Sequence, residues 1–94
     1  MNLKITGLHM EVTEAIKTYV TEKMERISRH HDGVISTTVT LSVEKLQQKA
    51  AAQVHLAGKD LHIETAEADM YAAIDTLVDK LDRAIKQHKE KQQH

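Results

Sequence analysis

The chain has 94 residues, with 13 Lys and Arg against 14 Asp and Glu, seven His, and neither cysteine nor proline. A chain of this length holds one modest core, so residues 1–94 are expected to form one domain; without thiols, neither a disulfide framework nor a zinc–thiolate site is available. No apolar run approaches the ~20 residues that span a bilayer, and MNLKITG lacks the apolar region of a signal peptide, so the expectation is a cytoplasmic protein with no membrane partner.

In chain order, Leu3 and Ile5 alternate with Lys4 and Thr6, the pattern of a short strand. Thr13 suits the N-cap of an amphipathic helix over residues 14–31, with Val12, Ile16, Val20 and Ile27 on the apolar face and Met24 at its edge. Gly33 is expected to stop that helix, because glycine accepts left-handed backbone past a helix end. Residues 35–45 alternate cleanly. Ile35, Thr37, Val39, Leu41 and Val43 face a core; Ser36, Thr38, Thr40, Ser42 and Glu44 form an open, hydroxyl-rich face. A two-residue turn at Gly58-Lys59 pairs Leu56 with Leu61 and Val54 with Ile63 on the core face, and His55 with His62 on the open one. The outer strand ends near Ala66. Asp69 then caps a final helix to Lys91, whose apolar stripe is Ile74, Leu77, Val78, Leu81 and Ile85. The opening strand, helix and strand form a crossover, so those strands are parallel if they are neighbours. Two helices with one apolar stripe each, and a sheet with one apolar face, pack as two layers with both helices on the same side.

The net charge of −1 is unevenly spread: residues 60–79 carry six acids and no Lys or Arg, while residues 80–94 carry five cations against two acids. A local patch, not the total, decides binding to a polyanion. At about 100° per residue, Lys80, Arg83, Gln87 and Lys91 share one flank of the last helix, whereas Asp75, Asp79 and Asp82 share the other with Lys86 among them. Turns are spaced about 5.4 Å along the axis, a scale similar to that between phosphates on one strand. On the first helix Lys23, Arg26 and His30 form a second row, with Arg29 nearby. Side-by-side helices uniting the two rows would make one cationic face; the plainer reading of either row is solvated surface. Tyr19 and Tyr71 are the only aromatic residues besides histidine, which suits phosphate and shape recognition of structured RNA rather than base stacking. His30 and His31 favour the helix dipole when protonated and can touch phosphate. His55, His62 and Glu64 fall short of the donor set of a stable zinc site, and Asp75, Asp79 and Asp82 read as solubilising charge, so no metal or other cofactor is expected. Nor is catalysis: there is no glycine-rich phosphate loop, no HExxH and no Ser-His-Asp arrangement.

The run Asp69-Met70-Tyr71-Ala72-Ala73-Ile74-Asp75, followed by Leu77, Asp79-Lys80-Leu81 and Arg83, resembles the second helix of the short ribosome hibernation-promoting factors, in the family of ribosome-associated inhibitor A or protein Y. The likeness continues through Ile5-Thr6-Gly7, Thr13-Glu14-Ala15 and Val43-Glu44-Lys45, and covers essentially the whole chain. It implies an α+β fold in the order β-α-β-β-β-α, a four-stranded sheet with two helices on one face, similar to double-stranded-RNA-binding folds. It also implies binding to the 30S subunit and 70S ribosome at the decoding region, across the channel of messenger and transfer RNA, which silences translation in starvation or stationary phase. The family's basic positions match Lys23, Arg26, Lys80, Arg83, Lys89 and Lys91. With Arg29, His30 and Lys86, these are the expected contacts to 16S rRNA. Gln87 departs from the pattern where a cation is expected, and Lys86 projects from a different side. The chain resembles the short form, without the extra dimerisation domain or extended tail of its relatives. That form is expected to be a monomer when free and to cooperate with a separate ribosome modulation factor in pairing ribosomes into 100S dimers. The residues alone leave two alternatives: a general binder of structured RNA away from the ribosome, and an oligomerisation module using the open sheet face, which that face's hydroxyls disfavour.

Overall fold

The computed structural model describes the backbone of residues 1–92 and the side chains of residues 1–90. Its elements are β1 (Asn2–Leu8), α1 (Glu14–His30), β2 (Val34–Glu44), β3 (Gln47–Leu56), β4 (Lys59–Glu67) and α2 (Met70–Gln92). The strands lie in the order β1-β2-β3-β4, with β1 and β2 parallel and the other pairs antiparallel. The α+β order and the crossover pairing therefore match expectation. Both helices bury their stripes on one sheet face. Val20, Met24 and Ile27 of α1 join Ala73, Ile74, Leu77, Val78, Leu81 and Ile85 of α2 over Val39, Leu41, Ala52 and Val54.

Side-chain caps start both helices. The Ile16 N–H donates to Thr13 Oγ1 at 3.2 Å, and the Ala72 N–H donates to Asp69 Oδ2 at 3.0 Å. Each cap satisfies one of the backbone donors that a helix N-terminus leaves without an internal partner. The buried Thr65 hydroxyl donates to the Ala73 carbonyl at 2.8 Å and ties β4 to the first turn of α2. Gly7 is required by space: a Cβ there would stand 2.6 Å from the Met10 carbonyl oxygen and 3.0 Å from Val12 Cγ2.

Four local expectations are corrected. The first helix does not stop on a left-handed Gly33. His31 ends it in extended conformation, with its N–H on the Ile27 carbonyl and its side chain buried. Met24 is fully buried rather than at the edge of the stripe. In β2 an extra residue between Val34 and Ser36 breaks the alternation, so Val34 turns inward and Ile35 outward; Val43, beyond the end of the core, is also exposed. Finally, the β3–β4 turn is Ala57-Gly58, with Leu56 opposite Lys59 and Val54 opposite Leu61. The positive φ of Gly58 (78°) explains the shift, because it puts glycine at the second turn position. Moving the loop by one residue moves every partner by two. Because strand faces alternate with period two, the core set survives, but His55 now meets Asp60 and His62 meets Gln53.

Candidate nucleic-acid interface

The helices run in the same direction, and their facing flanks carry complementary charge. Tyr19, Lys23, Arg26 and His30 recur along α1 at steps of four, three and four; Asp75, Asp79 and Asp82 recur along α2 at steps of four and three. Lys23 Nζ lies 3.5 Å from Asp75 Oδ1, Arg26 Nη2 donates to Asp79 Oδ1 at 2.6 Å, and His30 Nδ1 is 3.2 Å from Asp82 Oδ1. The Tyr19 hydroxyl donates to Asp75 Oδ1 at 2.6 Å, its ring meets Tyr71 edge-on at 4.8 Å, and Lys23 Nζ sits 5.4 Å from the ring centre. The acids are therefore not idle solubilising charge: they form the α2 side of an interhelical ladder.

The ladder shifts two ionisations. The hydrogen bond to Asp75, then burial and the charges of Asp75 and Asp69, push the Tyr19 hydroxyl up to about 12. Burial alone would raise Asp82, but hydrogen bonds from His31 and His30 outweigh it and hold the carboxyl below its ordinary value. His31 Nε2 reaches Asp82 Oδ1 at 2.9 Å, and a carboxylate only accepts, so this nitrogen carries the proton.

Around the ladder the expected RNA contacts separate into groups. Arg83 and Lys86 line the interhelical groove with Arg26, His30, Asp79 and Asp82. Arg29 is exposed, about 60° round α1 from Arg26. Lys80 is exposed about 100° round α2 from Asp79, on the flank turned away from α1. Lys89 is half-buried beside His88 at a cavity of about 100 Å³ lined by Gly33, Leu56, Ala57 and Ile85. The Lys91 side chain lies outside the described residues. The structure thus unites Lys23, Arg26, His30, Arg83 and Lys86 along one seam, but interleaves them with carboxylates. The reason is geometric: α1 packs beside the acidic flank of α2, and of the basic row Arg83, about 40° round the helix from Asp79, reaches that groove, whereas Lys80 turns away from it. The matched step patterns of the two helices carried this signal, which becomes readable only once the helices are known to be parallel neighbours.

The opposite side of the molecule is chemically different. Lys4, Thr38, Gln53 and His62 form one row across the open sheet face; Thr6, Thr40, Ala51 and Glu64 form the next. His55 Nδ1 lies 2.6 Å from Asp60, while His62 lies 3.0 Å from the Gln53 side-chain oxygen and 3.4 Å from Glu64. The expected His55–His62 pair is not formed, and among the described residues no group of three metal-ligating side chains occurs. Among the described residues no helix is long and apolar enough to cross a membrane.

A family model described as sigma 54 modulation protein / S30EA ribosomal protein matches residues 3–93. The chain is 47% identical over 93 residues to the ribosome hibernation promoting factor of Pseudomonas putida, covering 99% of this chain and 91% of that protein. It is 41% identical over 91 residues to the protein of the same name from Escherichia coli K12, covering 97% and 96%. Among solved structures, the N-terminal domain of Thermus thermophilus Protein Y superposes with a TM-score of 0.85 at 39% identity, over 94% of this chain and 99% of that one. A ribosomal subunit interface protein from Coxiella burnetii superposes with a TM-score of 0.91 at 24% identity, over 96% and 99%, and at that identity attests the fold alone.

Proposed function

The chain belongs to the sigma 54 modulation protein / S30EA ribosomal protein family, and from this membership we propose that it is a ribosome hibernation factor acting by binding rather than catalysis. Its target is the 30S subunit, free or within the 70S ribosome. It occupies the decoding region and excludes messenger and transfer RNA, which places its work in the cytoplasm. The observation that carries the contact surface is the convergence of Arg26, His30, Arg83 and Lys86 on one groove of the helical layer. Arg29 and Lys80 extend cationic reach to either side of that groove. Lys and Arg at this spacing engage 16S rRNA phosphates, and the rigid two-layer fold sets which phosphates are reached together. Lys23 on α1, with Lys89 and Lys91 near the end of α2, completes the contact set.

In this reading the free protein is a monomer. Pairing of ribosomes into 100S dimers follows from its action with a separate modulation factor. Co-sedimentation with 30S, 50S and 70S particles over a salt series tests the proposal. Recovery with 30S and 70S but not 50S, falling steeply as salt rises, is expected. Absence from all three at low salt would sink it, and recovery only with free RNA duplexes would replace it with a general RNA binder.

A further inference from the structure

We propose that Asp75 and Asp79 are specificity determinants of the RNA-binding surface. They occupy Lys23 and Arg26 of α1 as internal counter-anions and so restrain attachment to phosphate backbones that do not fit the groove. This rests on the RNA-binding reading above and adds what selects the RNA.

Two α1 cations are each matched to one carboxylate, Lys23 to Asp75 and Arg26 to Asp79, and the ladder continues where His30 meets Asp82. The carboxylates are not hidden beneath their partners. The side chain of Asp79 is 58% exposed and that of Asp75 46%, so they face the solvent from which RNA approaches. A phosphate brought against Arg26 is therefore also brought near Asp79, and attraction is largely offset by repulsion. Arg83 and Lys86 enter no ion pair among the described residues but share the groove with Asp79 and Asp82, so the offset reaches them more weakly; Arg29 lies outside that groove.

Net binding then requires an RNA surface that reaches several of these cations together and keeps its phosphates off the acid row. A rigid, folded target meets that demand; a generic duplex that touches one or two cations at a time does not. The ladder also holds Arg26 in place at 2.6 Å, so a matching target meets a cation already positioned. A purely mechanical role is less well supported. The helices already share a buried apolar core, and exposed ion pairs add little to stability.

The test measures binding to a labelled mixed-sequence RNA duplex and to 30S subunits. The proteins are wild type, Asp79→Asn, and Asp75→Asn with Asp79→Asn, each checked by thermal unfolding. Asp60→Asn with Glu64→Gln makes the same charge change on the open sheet face. At 0.15 M salt the Debye length is about 8 Å, so that control is expected to leave duplex affinity unchanged. Each ladder carboxylate removed is expected to raise duplex affinity about two- to fivefold. Affinity for 30S subunits is expected to rise less, so discrimination between the two targets falls. Unchanged duplex affinity in folded variants overturns the inference. So do an equal rise for both targets or an equal effect of the control. If the double variant unfolds, Asp79→Asn decides, because its amide oxygen still accepts from Arg26. The two readings separate: wild type failing to bind 30S refutes the ribosomal target, whereas only the variants refute the restraint.

Discussion

Replacing Arg83 and Lys86 with glutamate separates RNA contact from folding. Both side chains are exposed at the groove, and neither enters an ion pair among the described residues. Removing them breaks no ion pair, but each new glutamate stands one helical turn from Asp79 or Asp82, so a combined stability loss of up to about 1 kcal/mol is expected, too small to unfold the domain. Each phosphate contact contributes about 0.9 to the slope of log affinity against log salt, so losing two lowers the slope by roughly 1.8. Extrapolated from a 1 M reference to 0.15 M salt, that is a loss of about 30-fold, before any repulsion from the new carboxylates. Arg26→Glu would not be clean in this way. It would set two carboxylates together where a 2.6 Å ion pair stood, and a lower melting temperature would cloud the binding result. The assay is anisotropy of labelled protein titrated with 30S subunits from about 0.05 to 0.5 M salt, with thermal unfolding in parallel. An affinity and slope within about twofold of wild type, in a variant that melts normally, would remove the interhelical groove from the mechanism.

Gly7→Ala drives a methyl group against the Met10 carbonyl, which backbone geometry holds in place. A loss of about 1–3 kcal/mol is expected, seen as a melting temperature lower by roughly 4–20 °C. Tyr19 has a folded-state pKa above its unfolded value, so its contribution is complete below about pH 10 and fades as pH rises through about 12. Ultraviolet titration should show a tyrosine ionising near 12, and Tyr19→Phe should abolish that step. Asp82 is shifted the other way. Its contribution is present above the ordinary carboxylate range and is lost as pH falls through the lowered folded value. Acid unfolding of Asp82→Asn should therefore show a shallower dependence on pH below about 4, and an unchanged acid limb would deny the His31–Asp82–His30 cluster its role.

The period of the apolar residues was enough to place six elements and both helices on one sheet face, because burial acts on every turn of a stripe at once. Features that depend on a single residue were less visible. The bulge that turns Ile35 outward leaves the composition of β2 unchanged. The turn shifted by one residue because the backbone needed glycine at the second position, a demand that leaves the core alternation intact. The interface was half readable. Both basic rows could be drawn from spacing alone, but a row's partner is a tertiary fact, and Asp75, Asp79 and Asp82 acquired theirs only when α1 came to lie beside them. His31 belongs to the same class: its place at a helix end suggests contact with phosphate, yet it is 7% exposed and bound to Asp82.

The most direct test of the proposed function is a cryo-electron microscopy map of the protein bound to the 30S subunit. The account predicts density in the decoding region with the α1–α2 groove turned to 16S rRNA, Arg83 and Lys86 at phosphates, and the hydroxyl-rich sheet face turned away from those contacts. Density outside the messenger and transfer RNA channel, or the sheet face laid on RNA with the groove in solvent, would contradict it.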